Sequence, residues 1–123
     1  MSQPTLYDQV GGMDTFQRLV DAFYQDVETD PILRPMYPDD LTESREHLAL
    51  FLAQYFGGPG TYSERRGHPR LRMRHLPFRV DAAARDAWLK HMRAAVEAVA
   101  LPEPSRGVML AYFAQVADFL VNT

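Results

Sequence analysis

The chain has 123 residues, no cysteine, 46% hydrophobic and 11% aromatic residues, and a formal charge of −3. That length fits a single domain, residues 1–123, with its own buried core, and the composition is that of a globular rather than a disordered chain. The lack of cysteine excludes disulfides, iron–sulfur clusters, thiolate zinc sites, a thiolate nucleophile and any cofactor held through thioether bonds. No apolar run is long enough to span a bilayer, and the opening Met1-Ser2-Gln3-Pro4-Thr5 has neither the basic nor the apolar region of a secretion signal. The expected compartment is the cytoplasm.

A helical period runs through the whole chain, and no strand alternation interrupts it. Leu6, Tyr7 and Val10 form a short apolar turn that Gly11-Gly12 ends. From Asp14, a predicted N-cap, the residues Phe16, Leu19, Val20, Phe23, Tyr24 and Val27 recur on one face until Asp30-Pro31. Ile32, Leu33, Met36 and Tyr37 make a compact turn closed by Pro38. Asp40 or Thr42 caps the next helix, in which Leu48, Phe51, Leu52, Tyr55 and Phe56 share a face before Gly57-Gly58-Pro59. Residues 60–69 read as a loop, rich in Gly, Pro, Arg and Ser. After a short helix around His75, Asp81 caps a longer one with the stripe Trp88, Met92, Ala95, Val96 and Val99. The last helix carries Val108, Met109, Tyr112, Phe113, Val116, Phe119 and Leu120. The pattern predicts an all-α domain whose helix pairs cross over one core.

Charge is unevenly spread. Arg65, Arg66, Arg70, Arg72, Arg74 and Arg79 fall within residues 62–80, where Glu64 is the only acid. Such a segment attracts anions. It reads as a solvated basic loop or as a holder of a ligand's carboxylates; nucleic acid is disfavoured because the rest of the chain is acidic and no recognition motif accompanies the cluster. His75 sits inside it, in Leu71-Arg72-Met73-Arg74-His75-Leu76-Pro77-Phe78. A neutral imidazole in an apolar wall suits an axial bond to haem iron, with nearby arginines for the haem carboxylates; a hydrogen-bonded core histidine is the alternative on this motif alone.

A longer set of residues narrows the choice. Tyr7-Asp8-Gln9-Val10-Gly11-Gly12, Phe23-Tyr24, Met36-Tyr37-Pro38, Phe51-Leu52-Ala53-Gln54-Tyr55-Phe56-Gly57-Gly58-Pro59, Tyr62-Ser63-Glu64, the run Arg66 to His75, Pro77-Phe78 and Asp86-Ala87-Trp88-Leu89 together resemble the truncated haemoglobins of group II, the O-type. The match extends from Leu6 to about Leu120. The resemblance implies a globin-like two-over-two helical sandwich with a shortened first helix and a loop before the helix of the proximal histidine. It also implies a non-covalent haem b whose iron bonds only to His75.

Further roles follow from the same resemblance. Tyr24, Tyr37 and Trp88 match the polar distal positions that hydrogen-bond a diatomic ligand, and Ser44 and Leu48 match the remaining distal positions. Phe51 and Leu52 line the apolar wall, while Met73, Leu71, Phe78, Met92 and Val96 are expected to pack at the proximal side and haem edge. Arg72 and Arg74 are the expected propionate anchors, with Tyr62, His47 and His68 as further candidates; His47 stands where the family usually carries a longer basic residue. His91 is read as a surface or partner contact. The implied ligands are O2, NO, CO or peroxide, with an unidentified reductase, no nucleic acid or membrane, and self-association left open. The implied function is tight O2 binding that supports NO-dioxygenase or peroxidase-like chemistry rather than oxygen transport; haem-based storage or sensing without turnover is the alternative.

Overall fold

The computed structural model describes residues 4–75 and 79–122. Its helices in chain order are α1 (Leu6–Gln9), α2 (Met13–Val27), a 3₁₀ turn (Arg34–Met36), α3 (Thr42–Tyr55), α4 (Thr61–Arg66), α5 (Leu71–His75), α6 (Ala82–Ala98) and α7 (Ser105–Leu120), with no strand among the described residues. The pairs α2/α3 and α6/α7 form the two halves of the sandwich, and α2 packs on α6 to join them. The apolar stripe of α2 explains its central place: Phe16, Leu19, Val20, Phe23 and Val27 are all almost wholly buried. They meet Leu52 and Ala53 of α3, Met92 and Val96 of α6, and Met109 and Phe113 of α7 in one core.

Local chemistry sets where the elements begin. Thr5 and Asp8 form a reciprocal capping box on α1, and Asp81 caps α6 by accepting from the Ala84 N–H. The close seating of α1 on the end of α3 requires glycine there. Gly57 has φ 99°, and a Cβ on it would come within 2.5 Å of the Thr5 side chain. The Tyr7 N–H then donates to the Phe56 carbonyl at 3.0 Å.

Four expectations need correction. Asp14 is not the cap of α2: the helix starts at Met13 after Gly12, and Asp14 pairs with Arg18 at 3.1 Å one turn on. Residues 60–69 are not all loop, since Gly60 leads into α4, which buries Tyr62. The buried helical stripes are also narrower than expected: Tyr55, Val108 and Phe119 are each more than half exposed, and small Ala49 and Ala53 share the buried side of α3 with Leu52. Finally, His91 is an internal contact.

The His91 side chain donates from Nε2 to Asp30 at 2.5 Å, and its Nδ1 lies 3.7 Å from Asp26. Asp30 also accepts the backbone N–H groups of Ile32 and Leu33 at 2.7 and 3.1 Å, so it ties α6 to the turn that leads to Tyr37. These bonds, His91 first, hold the Asp30 carboxyl below its ordinary value of 3.8. A carboxyl depressed by folding stabilises the fold above its unfolded pKa and loses that contribution as pH falls through the folded value. The stability difference between wild type and Asp30→Asn, measured by denaturant unfolding, is therefore expected to be largest near neutrality and to shrink below about pH 4. A difference independent of pH between 7 and 3 would contradict the ionic role of Asp30.

Candidate functional site

His75 is the last residue of α5, and a helix that short is held by its surroundings rather than by its own turns. Its Nδ1 lies 2.6 Å from the Leu71 carbonyl oxygen, four residues back. A carbonyl only accepts, so the proton of the neutral ring sits on Nδ1 and the lone pair is left on Nε2. The His75 carbonyl in turn accepts from Asn122 Nδ2 at 3.2 Å, while Asn122 exchanges two bonds of 2.9 Å with the backbone of Val80. The end of the chain thus fixes both sides of the segment after α5.

His75 lines a cleft of about 350 Å³ bounded by Tyr24 of α2, by the segment that follows α2 and by α3 to α7. Most of its lining is apolar, including Leu48, Phe51, Leu52, Leu71, Phe113 and Val116. A smaller space of about 60 Å³, lined by Leu33, Val80, Ala84 and Ala117, shares Met36, Tyr37, His75, Trp88 and Leu120 with it and deepens it between α6 and α7. Such a concave, mostly apolar space with few polar groups is what a flat hydrophobic cofactor needs.

Tyr24, Tyr37, Ser44 and Trp88 are among the uncharged hydrogen-bonding groups brought into this cleft beside His75, with Tyr62 and Tyr112 also in its lining. The rings of Tyr24 and Tyr37 meet edge to face with centroids 5.6 Å apart, and Trp88 is set by Phe23 and Phe113, each at 5.9 Å. Ser44 and Tyr37 both act on the Tyr24 phenol, the first lowering its pKa and the second raising it. Burial, reinforced by Tyr37, pushes the Tyr24 phenol far above its usual range, and burial pushes Tyr37 up to about 12. Both phenols therefore keep their protons at any physiological pH.

Three basic side chains, His47, Arg66 and Arg74, stand half-exposed at the edge of the cleft. Arg66 Nη1 reaches the His47 ring at 3.0 Å, and its guanidinium lies 5.9 Å from the centre of the buried Tyr62 ring. Burial first, and then the Arg66 charge, lowers the His47 pKa, so the imidazole is neutral at neutral pH and accepts from Arg66. Arg66 Nε is buried with no hydrogen-bond partner. A buried guanidinium N–H without an acceptor is costly unless an anion completes it, so this edge of the cleft fits a carboxylate. Arg74 is committed differently, donating to the carbonyls of Pro69 at 2.7 Å and Arg66 at 3.1 Å, which stitches the loop before α5.

The other sequence expectations divide. Met73 is 53% exposed and lines neither space, contrary to the packing role expected for it. Met92 and Val96 are core residues, fully buried in α6. His68 is exposed and only accepts from the Arg70 N–H at 3.1 Å. Phe78 and the Arg72 side chain lie outside the described residues.

This geometry can be set beside known proteins. The family model for bacterial-like globins matches residues 5–122. The group 2 truncated haemoglobin YjbI of Bacillus subtilis is 41% identical over 111 residues, which cover 90% of this chain and 84% of that protein. The chain belongs to the bacterial-like globins, as a truncated haemoglobin of group II. Among solved structures, the haemoglobin of Chloroflexus aurantiacus is 57% identical with a TM-score of 0.97, covering 98% of this chain and 100% of that one. The truncated oxygen-avid haemoglobin of Bacillus subtilis is 39% identical with a TM-score of 0.92, covering 97% and 100%. Membership of the globins implies haem binding, and the lining of the cleft and the unmatched Arg66 Nε are consistent with that group.

The sequence alone does not mark Asn122 and Arg66 as site residues. Arg66 lay in the visible arginine cluster, but only the fold selects it from its neighbours; nothing local marks Asn122. If Arg66 supplies the missing bond to a haem propionate, Arg66→Ala should speed haem loss to an apo-globin acceptor by about 10- to 100-fold, the equivalent of one charge-assisted bond. An unchanged rate would move the anchor elsewhere.

Proposed function

We propose that this truncated haemoglobin binds haem b non-covalently, with His75 Nε2 as the single protein bond to a pentacoordinate iron. It would then hold O2 and other diatomics tightly in support of NO or peroxide chemistry. The observation that carries the reading is the 2.6 Å approach of His75 Nδ1 to the Leu71 carbonyl in a residue that lines the cleft; with the proton on Nδ1, the lone pair is left on Nε2. Bound haem supplies an iron that passes electron density to a coordinated diatomic. No second neutral imidazole competes within the described lining, because His47 is occupied by Arg66. The phenols Tyr24 and Tyr37 are kept protonated by burial and so act as donors rather than as anionic ligands.

Hydrogen bonding among the hydroxyls would limit how many donors a ligand receives. Ser44, Tyr24 and Tyr37 carry three hydroxyl protons; a chain that linked them would use two and leave one to offer outward. The indole N–H of Trp88 adds a second, and it can only donate. Two preplaced donors in a dry cleft favour the charge-shifted, bound form of O2 and disfavour quick release. Arg66, His47 and Tyr62 are the proposed propionate contacts, and the apolar Leu48, Phe51 and Leu52 keep water away from the ring. The description of the similar Bacillus subtilis protein as oxygen-avid supports the same direction. Electrons for turnover would come from an external reductant.

Tyr24 and Tyr37 offer the same kind of donor and are partly interchangeable, whereas Trp88 is the one indole N–H in the described lining. Trp88→Phe is therefore expected to raise the O2 dissociation rate by about 10- to 100-fold, more than Tyr24→Phe, after which Tyr37 still has a proton to give. Stopped-flow O2 release from the ferrous protein decides this. A Trp88→Phe rate within about twofold of wild type would leave Trp88 as packing only.

A further inference from the structure

One imidazole meets all three elements that carry the deep donors of the cleft. Tyr24 lies on α2, Tyr37 ends the 3₁₀ turn that follows it, and Trp88 lies on α6. His91 stands about one helical turn after Trp88. Its Nε2 meets Asp30, at the start of the segment leading to Tyr37, at 2.5 Å, and its Nδ1 lies 3.7 Å from Asp26 of α2. The His91 and Asp30 side chains are each only 13% exposed, so salt and water screen their contact little.

Short links carry this contact to the donors. Asp30 accepts the N–H groups of Ile32 and Leu33, the Leu33 carbonyl accepts from Met36 at 2.9 Å, and the Arg34 carbonyl accepts from Tyr37 at 3.2 Å. Asp26 follows Tyr24 by two residues on α2. The other charged groups of the packed elements are engaged elsewhere. Arg34 donates to the carbonyls of Tyr37, Pro38 and Asp39, Glu28 beyond α2 pairs with Arg45, and on α7 Arg106 pairs with Glu97 and Glu103, and Asp118 with Arg85. On α6 itself Lys90 and Arg93 are exposed.

A protonated imidazole offers an N–H to each of two carboxylates, and a neutral one keeps a single N–H. The shorter contact to Asp30 retains it. The tie to α2 is then lost, together with the charge that strengthens both bonds. Asp30 stays ionised through this change, because its carboxyl is held below the ordinary 3.8.

We infer that His91 is a positioning residue for Tyr24, Tyr37 and Trp88, and that its proton sets how firmly they hold a diatomic ligand, so that bound O2 leaves faster as pH rises. The inference rests on the O2-binding role proposed above. His91 touches neither ligand nor haem in it; it acts only through the elements that it joins.

The test follows O2 release from the haem-loaded ferrous protein by stopped flow, with CO as the displacing ligand, from about pH 5 to 9. NMR of the ferrous–CO form titrates the His91 ring and the Trp88 indole N–H over the same range. Wild type should release O2 about three- to tenfold faster at the alkaline end, with one midpoint shared by the rate, the His91 ring and the indole signal. His91→Gln keeps an N–H for Asp30 but has no charge to lose, so its profile should be flat, whereas loss of a merely structural histidine would shift the rate and leave the midpoint. Should that variant not fold, the wild-type rate and indole signal still decide. A wild-type rate constant to within about twofold, a midpoint that survives in His91→Gln, or an indole signal that ignores the His91 titration overturns the inference and leaves the proposed donors in place. Release that is fast at every pH and unchanged in Trp88→Phe removes those donors and the inference with them.

Discussion

The position of one proton organises this molecule. A free imidazole shares its proton between two nitrogens; at His75 the Leu71 carbonyl, 2.6 Å from Nδ1, removes that freedom. The bond needs α5 to complete its single turn, and that turn depends on outside ties: Arg74 onto Pro69 and Arg66, and Asn122 onto the carbonyl of His75 itself. Much of the chain beyond the two helix pairs serves to place one ring nitrogen. Asn122, far away in sequence, holds the backbone of the same residue whose ring meets the Leu71 carbonyl.

The cleft around that nitrogen separates two kinds of polar group. Uncharged donors lie deep, where burial keeps the tyrosines protonated, and charged ones lie at the half-exposed edge, where burial and then Arg66 keep His47 neutral and Arg66 has one N–H without an acceptor. In the proposed function this matches the two ends of a haem, whose apolar ring needs a dry space and whose propionates need cations near water. The link from His91 through Asp30 to the turn bearing Tyr37 shows how the deep donors are in turn held by the sandwich.

The helices of the sandwich were legible because their apolar residues recur at a helical period, and the Gly-Gly pairs announced turns that the packing of α1 on α3 then requires. His75, Tyr24, Tyr37 and Trp88 were legible as a set through family resemblance, and the fold brings all four to one cleft. The sequence was least informative where one residue type serves several purposes. Arginines 66, 72 and 74 look alike in the chain, yet Arg66 has an unmatched buried N–H and Arg74 is spent on carbonyls. Met73 has the right chemistry for a haem edge but falls on the outer side of a short helix. α4 was hidden because glycine and arginine content outweighed a six-residue helical run, and His91 because its partner lies 61 residues away.

The role assigned to His75 is tested most directly by titrating haem into the purified protein and into His75→Ala, with ferrous–CO spectra of each. Wild type should bind one haem per chain and give the spectrum of a histidine-ligated ferrous–CO haem. The variant should bind haem weakly or lose that spectrum. Full haem content with unchanged ferrous–CO bands in His75→Ala would contradict the account.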